Sequence, residues 1–401
     1  MSIPVMRPTL RRKDLNGVLS CLVSDHIGPG QLSAELAGEL ARRLGTGGGL
    51  CLSSYAAAIE CVLDLLEVAP GDSIVISALA PSIYQRVCAR RGIHTLIVDV
   101  GEGSPLLDAT ALDRLLTSGH GGEDTPGPAH RGIEGSPAAG ALPKAIVLHY
   151  TLGFVPESAV PLRVGIPLVE DVSHAVGGTY DGSPCGGHGE LAVVALQPEG
   201  LITAGQGAAV FARDRKVARS LGSIGKGWDH DRLLPDMNAA LGLSQLKELE
   251  RFLRLRQEIS EAYLQAIVRS RHGALTAGVG VSGQPGAAGQ PEQVSASRQP
   301  ALGVSTEVGE TRAVAYAFPV VVKGGLKDVR QYAAKRGVET RRAFSDAVLA
   351  FEDGDGAAVS GLPQTFPRAY ELLQRSLLFP LYPSLAKKDV QLIAKVLATL
   401  P

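Results

Sequence analysis

The chain has 401 residues, of which 45% are hydrophobic, 20% are charged and 4% are aromatic. This length predicts two domains, since one domain usually takes roughly 100–200 residues. The formal net charge of −1 and the scarcity of aromatic side chains argue against nucleic acid and an anionic membrane surface as partners.

Short β-branched runs alternate with helical stretches between about residue 47 and residue 212. Near-continuous apolar strands separated by helices predict a parallel sheet that is covered on both faces. Because few residues separate the last strand from its predecessor, that strand can run antiparallel. The candidate strands are 73–77, 94–100, 144–150, 166–172, 191–196 and 207–212.

Residues 239–269 predict one long amphipathic helix, because Leu243, Leu246 and Leu249 recur at helical spacing. Such a helix is suited to connect a large domain to a smaller one. The chain beyond it predicts a small α+β domain, with a strand at 313–322 and helices near 326–336 and at 386–399.

Two aperiodic stretches are rich in small and polar residues and predict flexible insertions, namely 117–142 and 274–312. The elements and insertions together predict three parts. These are a large domain at 1–238, a connecting helix at 239–270 and a small C-terminal domain at 271–401.

The cysteines number five and are scattered, with no CxxC pair and no spacing typical of zinc ligands. An odd, dispersed set is typical of reduced thiols in a cytosolic protein. The N-terminal segment lacks the apolar stretch of a signal peptide, and no apolar run reaches the roughly 20 residues of a membrane helix. We therefore expect a cytoplasmic protein with no membrane partner and no metal site.

Seven segments occur in one order and at consistent spacing along nearly the whole chain outside the two insertions. They are SDHIGPGQLSAELAGELARRLG (24–45), the segment from LSSYAAAIE to SIVISAL (52–79), PKAIVLHYTLGF (143–154), IPLVEDVSHAVGGTYDGSPCGGHGEL (166–191), LITAGQGAAVF (201–211), AALGLSQLKELERFLRLR (239–256) and FPRAYELLQRSLLFPLYPSL (366–385). Together they resemble the DegT/DnrJ/EryC1/StrS family of sugar aminotransferases, which are fold-type-I enzymes dependent on pyridoxal phosphate. The resemblance implies a large domain with a mostly parallel mixed sheet sandwiched by helices, followed by a small α+β domain.

The resemblance assigns roles to Asp171 and His174. Asp171 ends a predicted strand, where open α/β sheets expose ligand-binding residues. In the family the matching aspartate pairs with the pyridinium nitrogen, which lets the cofactor ring act as an electron sink. His174 stands where the family often has a glutamine near the ring oxygen. Either residue can instead be structural, Asp171 as the cap of the next turn and His174 as a core histidine.

The phosphate-binding turn departs from the family pattern. Where the family has a Gly-Thr pair at the start of a helix, this chain has Ser54 and Tyr55. Ser54 can cap the helix or bind an anion, whereas the tyrosine ring would crowd a phosphate. Ala195 matches the serine that binds the phosphate, and Pro81 matches the aromatic residue that stacks on the ring. Together these changes indicate that the phosphate and the ring of the cofactor are no longer held.

The reactive lysine of the family pattern K-N-x-T-T-G matches Gly200, five residues before Gly205. No lysine occurs between Lys144 and Lys216, so the absence does not depend on the register of the match. Without this amine there is no internal aldimine and no evident base for the proton shift of transamination.

Five residues remain as substitutes for the lysine or as ligand contacts. Lys226, His230 and His174 are the substitutes for the missing lysine that the sequence offers, although Lys226 and His230 can equally be solvated side chains. Arg341 and Arg342 can meet an anionic substrate or be surface charges.

Three hypotheses follow from the resemblance. The first is an inactive homologue that forms a homodimer, or a heterodimer with an active family member. The second is an enzyme that uses pyridoxal phosphate or pyridoxamine phosphate bound without a covalent link, as in lysine-less sugar dehydratases. The third is a pocket reused for another ligand without this cofactor. A nucleotide-activated sugar is the ligand class that the family implies.

Overall fold

The computed structural model describes residues 2–117, 141–156, 165–227, 230–275, 311–350 and 362–401. Most of each predicted insertion, at 118–140 and 276–310, lies outside these residues. The described part confirms the predicted α/β fold, with a seven-stranded mixed sheet and a smaller four-stranded antiparallel sheet.

The large sheet has the strand order β1-β9-β8-β5-β4-β2-β3. The neighbours β3, β2, β4, β5 and β8 are parallel, and β9 runs antiparallel to both β8 and β1. The reversed last strand is therefore confirmed. The strands are β1 (Gly48–Leu52), β2 (Ser73–Ser77), β3 (His94–Val98), β4 (Ala145–His149), β5 (Leu168–Asp171), β8 (Leu191–Ala195) and β9 (Ala208–Ala212), with a separate hairpin of β6 (Thr179–Tyr180) and β7 (Ser183–Pro184).

Seven helices of the described residues belong to the part of the chain that forms this sheet. They are α1 (Arg12–Val23), α2 (Gln31–Leu44), α3 (Tyr55–Leu65), α4 (Ile83–Arg90), α5 (Ala109–Thr117), α6 (Arg215–Gly227) and α7 (Asp236–Leu246). The strands β2, β3, β4, β8 and β9 are buried along their whole length. This burial explains why their sequences are continuous apolar runs.

Strand β1 was not among the predicted strands because three consecutive glycines, at 47–49, weaken its pattern. Gly49 lies opposite Phe211 of β9. A Cβ atom at Gly49 would lie 2.3 Å from Phe211 Cδ1 and 2.7 Å from the carbonyl oxygen of Val210. The glycine therefore makes room for the fully buried Phe211 ring between the two strands.

The smaller sheet has the order β10-β11-β13-β12, with β10 (Gly273–Ala274), β11 (Phe318–Val321), β12 (Arg341–Arg342) and β13 (Ser376–Phe379). Its helices are α8 (Leu249–Ile267), α9 (Leu326–Lys335), α10 (Leu362–Thr365), α11 (Pro367–Arg375) and α12 (Lys387–Ala398). Ile3 pairs with Val338 beside this sheet. The range 1–238 predicted for the large domain thus includes an N-terminal segment that packs with the smaller sheet.

The prediction of one continuous helix over 239–269 is wrong. α7 ends at Leu246 and α8 begins at Leu249. At the break the amide of Glu248 bonds to Gln245 O, three residues back, at 3.0 Å, and Glu248 has φ −104° and ψ 0°. The two helices turn apart because α7 packs against α1 and α2, whereas α8 packs against α12. The leucine spacing continues across the break and conceals it.

The apolar interior follows the two sheets. One cluster of buried side chains surrounds the large sheet, and a second joins α8, the smaller sheet and α12. Among the helices of the described residues, none combines the length and the apolar character needed to cross a membrane.

We predict that Gly49→Ala lowers the free energy of unfolding by roughly 1–3 kcal/mol, because the added methyl group must displace the Phe211 ring or the β9 backbone. The matched control is Gly38→Ala, where an added Cβ meets no atom within 4 Å and lies on an exposed helix face. It should be neutral or stabilising. Urea unfolding curves compare the two, and equal effects would contradict the role given to Gly49.

Candidate functional site

A cleft of about 760 Å³ opens where the parallel strands of the large sheet end. Arg341, Phe344 and Leu378, from the side of the smaller sheet, form its opposite wall. Ligands of open α/β sheets bind at this edge. The cleft brings together most of the residues that the sequence singled out, namely Ser54, Tyr55, Pro81, His174, Ala195 and Gly200.

Asp171 ends β5 behind this cleft, and its carboxylate is fully engaged by the chain itself. Its Oδ1 accepts hydrogen bonds from the amide of Ser173 at 3.0 Å and from Ser173 Oγ at 2.5 Å. Its Oδ2 accepts one from the hydroxyl of Tyr84 at 2.7 Å and another from the hydroxyl of Tyr55. A carboxylate has about four lone-pair sites, and these four donors occupy them.

Tyr55 lines the cleft and contacts Asp171, which does not. The Asp171 side chain is 0% exposed and does not line the cleft, whereas Tyr55 does. The rings of Tyr55 and Tyr84 meet edge to face, with centroids 6.0 Å apart. Burial, together with the negative charge of Asp171, raises the pKa of both tyrosines well above the ordinary value. Both hydroxyls therefore keep their protons and act as donors.

Gly200, the residue matched to the reactive lysine, lies in a tight turn at the cleft wall. Its amide donates to the carbonyl oxygen of Gln197 at 3.0 Å. A Cβ atom at Gly200 would lie 2.6 Å from Ile202 O and 3.1 Å from Gln197 O. The turn therefore has no room for any side chain at this position without a shift of the backbone.

Two neutral histidines form part of the cleft floor. His149 ends β4 beside Asp171, and burial lowers the pKa of His149 to about 3. Its Nδ1 lies 2.8 Å from Thr151 Oγ1, and its Nε2 has no partner among the described residues. Burial, and then the neighbouring His149, lower the pKa of His174 well below the ordinary value.

The orientation of His174 is set by its neighbours. Its ring stacks on Tyr316 with centroids 3.7 Å apart and meets His149 edge to face at 4.8 Å. The amide of Leu152 donates to His174 Nδ1 at 3.2 Å, from a left-handed backbone with φ 57°. The neutral ring therefore carries its proton on Nε2.

The residues at the positions matched to phosphate and ring contacts have structural partners within the chain. Ser54 Oγ accepts from the amide of Ala57 at 3.1 Å, so this serine caps α3. The amide of Ala195 donates to Ser173 Oγ at 2.8 Å, which extends the network around Asp171. Pro81 lies next to Ala347 in an isolated bridge.

Arg341 does not face the cleft as a free cation. Its guanidinium donates to both carboxylate oxygens of Glu199, at 3.2 and 2.9 Å, across the cleft mouth. Arg342 does not line this cleft. The side chains of Lys226 and His230, the substitutes considered for the lysine, lie outside the part of the molecule that the structure describes.

Sequence reasoning missed Tyr84, Ser173, His149 and Glu199. Ser173 had a local signal, since an aspartate two residues before a serine often forms a turn. His149 also had one, because it ends a parallel strand next to the strand of Asp171. Tyr84 lies 87 residues from Asp171 along the chain, so no local pattern reveals that contact.

These residues do not fit pyridoxal phosphate held in the manner that the family resemblance implies. The ring nitrogen would need an acceptor on Asp171, and all four positions are occupied. Of the described residues that line the cleft, none is a lysine. Among the described residues, the cleft therefore has no lysine and no free acceptor on Asp171.

Comparison with known proteins agrees with this architecture. The model of the DegT/DnrJ/EryC1/StrS aminotransferase family matches residues 8–278. The aminotransferase TlmJ from Streptoalloteichus hindustanus is 22% identical, with a TM-score of 0.74 over 99% of this chain and 98% of that chain. A protein from Streptococcus pneumoniae described as a sugar aminotransferase, Spr1654, is 20% identical in its PMP form, with a TM-score of 0.73 over 99% of this chain and 97% of that chain.

A dehydratase has the same fold. A mutant of GDP-4-keto-6-deoxymannose-3-dehydratase (ColD) with bound GDP-perosamine is 15% identical, with a TM-score of 0.72 over 98% of this chain and 99% of that chain. Spr1654 has also been solved in a PLP form, at a TM-score of 0.73. At these identities the likeness establishes the fold alone.

We predict that His149 makes the protein sensitive to acid. Below the ordinary histidine pKa, His149 binds a proton in the unfolded chain. In the folded protein it stays neutral, because burial lowers its pKa to about 3. Stability therefore falls as the pH drops towards that value. His149→Gln should reduce the slope of unfolding free energy against pH by about 1.4 kcal/mol per unit below about pH 6.

Urea unfolding at several pH values measures this slope. The matched control is His26→Gln, at an exposed histidine. An equal change of slope in both variants would show that His149 is not held neutral by burial.

Proposed function

The chain belongs to the DegT/DnrJ/EryC1/StrS aminotransferase family, and from that premise we propose that it is an inactive homologue of the sugar aminotransferases. In this proposal it does not catalyse transamination and acts by associating with another copy or with a catalytically active relative. The observation that carries the proposal is Gly200, which occupies the lysine position in a turn without room for a side chain.

Chemistry supports this reading. Transamination requires a group that forms the covalent link and a base that moves the proton. Glycine supplies neither, and His149 is a poor base because burial holds its pKa at about 3. The pKa of His174 is lowered as well. The two histidines of the cleft are therefore weak substitutes for a catalytic amine.

An exposed apolar face on α1 supports association with a partner. Leu15 is 61% exposed, Leu19 is 56% exposed and Leu22 is 43% exposed. These residues recur at helical spacing on the face of α1 away from α7, against which this helix packs. Exposed apolar patches of this kind mark interaction surfaces.

The proposal also includes a cellular compartment and a class of ligand. The five cysteines are free and buried, which supports a reducing compartment such as the cytoplasm. A nucleotide-activated sugar is the ligand that the family implies for the cleft. The alternative function is a lysine-less enzyme of the dehydratase type, favoured by the retention of Asp171 and by the likeness to the ColD fold.

We predict that the purified protein forms no stoichiometric adduct with pyridoxal phosphate. Absorbance spectra before and after borohydride reduction, followed by peptide mass spectrometry, measure the adduct. The comparison uses wild type, Lys226→Ala and, as the matched control, Lys216→Ala. A reduced adduct that persists in Lys216→Ala and is lost in Lys226→Ala would contradict the proposal, because Lys226 would then serve as the missing amine.

We also predict that the double variant Leu15→Asp with Leu19→Asp loses association, because two charges would enter an apolar interface. Analytical ultracentrifugation of the chain, alone and with a co-expressed lysine-bearing family member, should show at least roughly tenfold weaker assembly. Leu392→Asp, at a 37% exposed leucine of α12, is the control. Equal assembly by all variants would remove α1 from the interface.

A further inference from the structure

We propose that Tyr55 is the side chain that closes this cleft to pyridoxamine phosphate, and to any ligand that would bind Asp171 through a protonated ring nitrogen. The inference deepens the proposed function and rests on it, because a freely bound amine form of the cofactor needs no lysine. It makes Tyr55 a specificity-determining residue rather than one neutral change among several.

The position of Tyr55 follows from the start of α3. Ser54 caps this helix through its bond to the amide of Ala57, which fixes the backbone of the next residue, Tyr55, at the cleft wall. From there the tyrosine side chain reaches the carboxylate of Asp171 at the end of β5. The residue that the resemblance matches to a phosphate-binding threonine therefore acts on the opposite end of the cofactor site.

The contact blocks Asp171 in two ways. The tyrosine lines the cleft and contacts the carboxylate, which is 0% exposed and does not line the cleft itself. Its hydroxyl also takes one of the two acceptor positions on Oδ2, and Tyr84 takes the other. A ring nitrogen can reach this oxygen only after Tyr55 has left, whereas Tyr84 can stay, since one free position is then enough.

The geometry thus distinguishes two tyrosines that make equivalent hydrogen bonds. Tyr84 is 1% exposed and does not line the cleft, whereas Tyr55 forms part of its wall. Removal of the Tyr84 hydroxyl leaves the barrier intact. Replacement of Tyr55 by a small residue removes both the ring and the competing donor.

The test is the non-covalent binding of pyridoxamine phosphate, measured by isothermal titration calorimetry. Wild type and Tyr84→Phe should bind weakly or not at all, and Tyr55→Thr should bind at least roughly tenfold more tightly than wild type. Threonine is the residue that the family has at this position. Adding Asp171→Asn to Tyr55→Thr should abolish the gain, because the amide no longer offers the charge that favours a protonated nitrogen.

Three results would overturn the inference. They are wild-type binding as tight as that of Tyr55→Thr, an equal gain in Tyr84→Phe, and a folded Tyr55→Thr that gains nothing. If circular dichroism shows that Tyr55→Thr is unfolded, Tyr55→Ala replaces it as the variant that removes the tyrosine ring. Tight binding of pyridoxamine phosphate by wild type would contradict the inference without any variant. Tight non-covalent binding by wild type would contradict only this inference. A borohydride-fixed adduct would contradict the proposed function.

Discussion

The rest of the cleft depends on one constraint, which is the burial of the Asp171 carboxylate. A charged group in a dry interior is costly unless donors satisfy its lone pairs. In the described structure those donors are Ser173, Tyr84 and Tyr55. The family resemblance implies a cofactor ring as one of these partners, and in this chain the hydroxyl of Tyr55 donates to Asp171 Oδ2. The carboxylate of Asp171 is therefore bound by donors within the protein core.

Other polar side chains around the cleft are also bound by groups of the protein rather than left free for a ligand. Arg341 could meet an anion, yet Glu199 of the Gly200 turn holds it. The hydroxyl oxygen of Ser54, which could bind a phosphate, instead caps α3. Several groups at the positions matched to cofactor contacts are thus engaged by partners within the chain, although His149 Nε2 has none among the described residues. These internal contacts support the proposal of an inactive homologue.

The sequence was sufficient for the fold, because the parallel strands are rich in apolar residues and the family motifs lie at their ends. Most of the residues that it singled out line one cleft. The sequence was insufficient wherever contacts between distant segments determine the role of a residue. The size of Tyr55 indicated crowding of a phosphate, but its bond to Asp171 spans 116 residues of sequence and leaves no local pattern. The glycines of β1 concealed a strand because their role is to accommodate Phe211. The break between α7 and α8 was hidden because leucines continue across it.

The most direct test of the account is a crystal structure of the wild-type protein grown with an excess of pyridoxamine phosphate. The account predicts that the hydroxyls of Tyr55 and Tyr84 both remain on Asp171 Oδ2 and that no ring occupies the cleft beside them. A structure in which Tyr55 has rotated away and a pyridine nitrogen lies against Asp171 would contradict it.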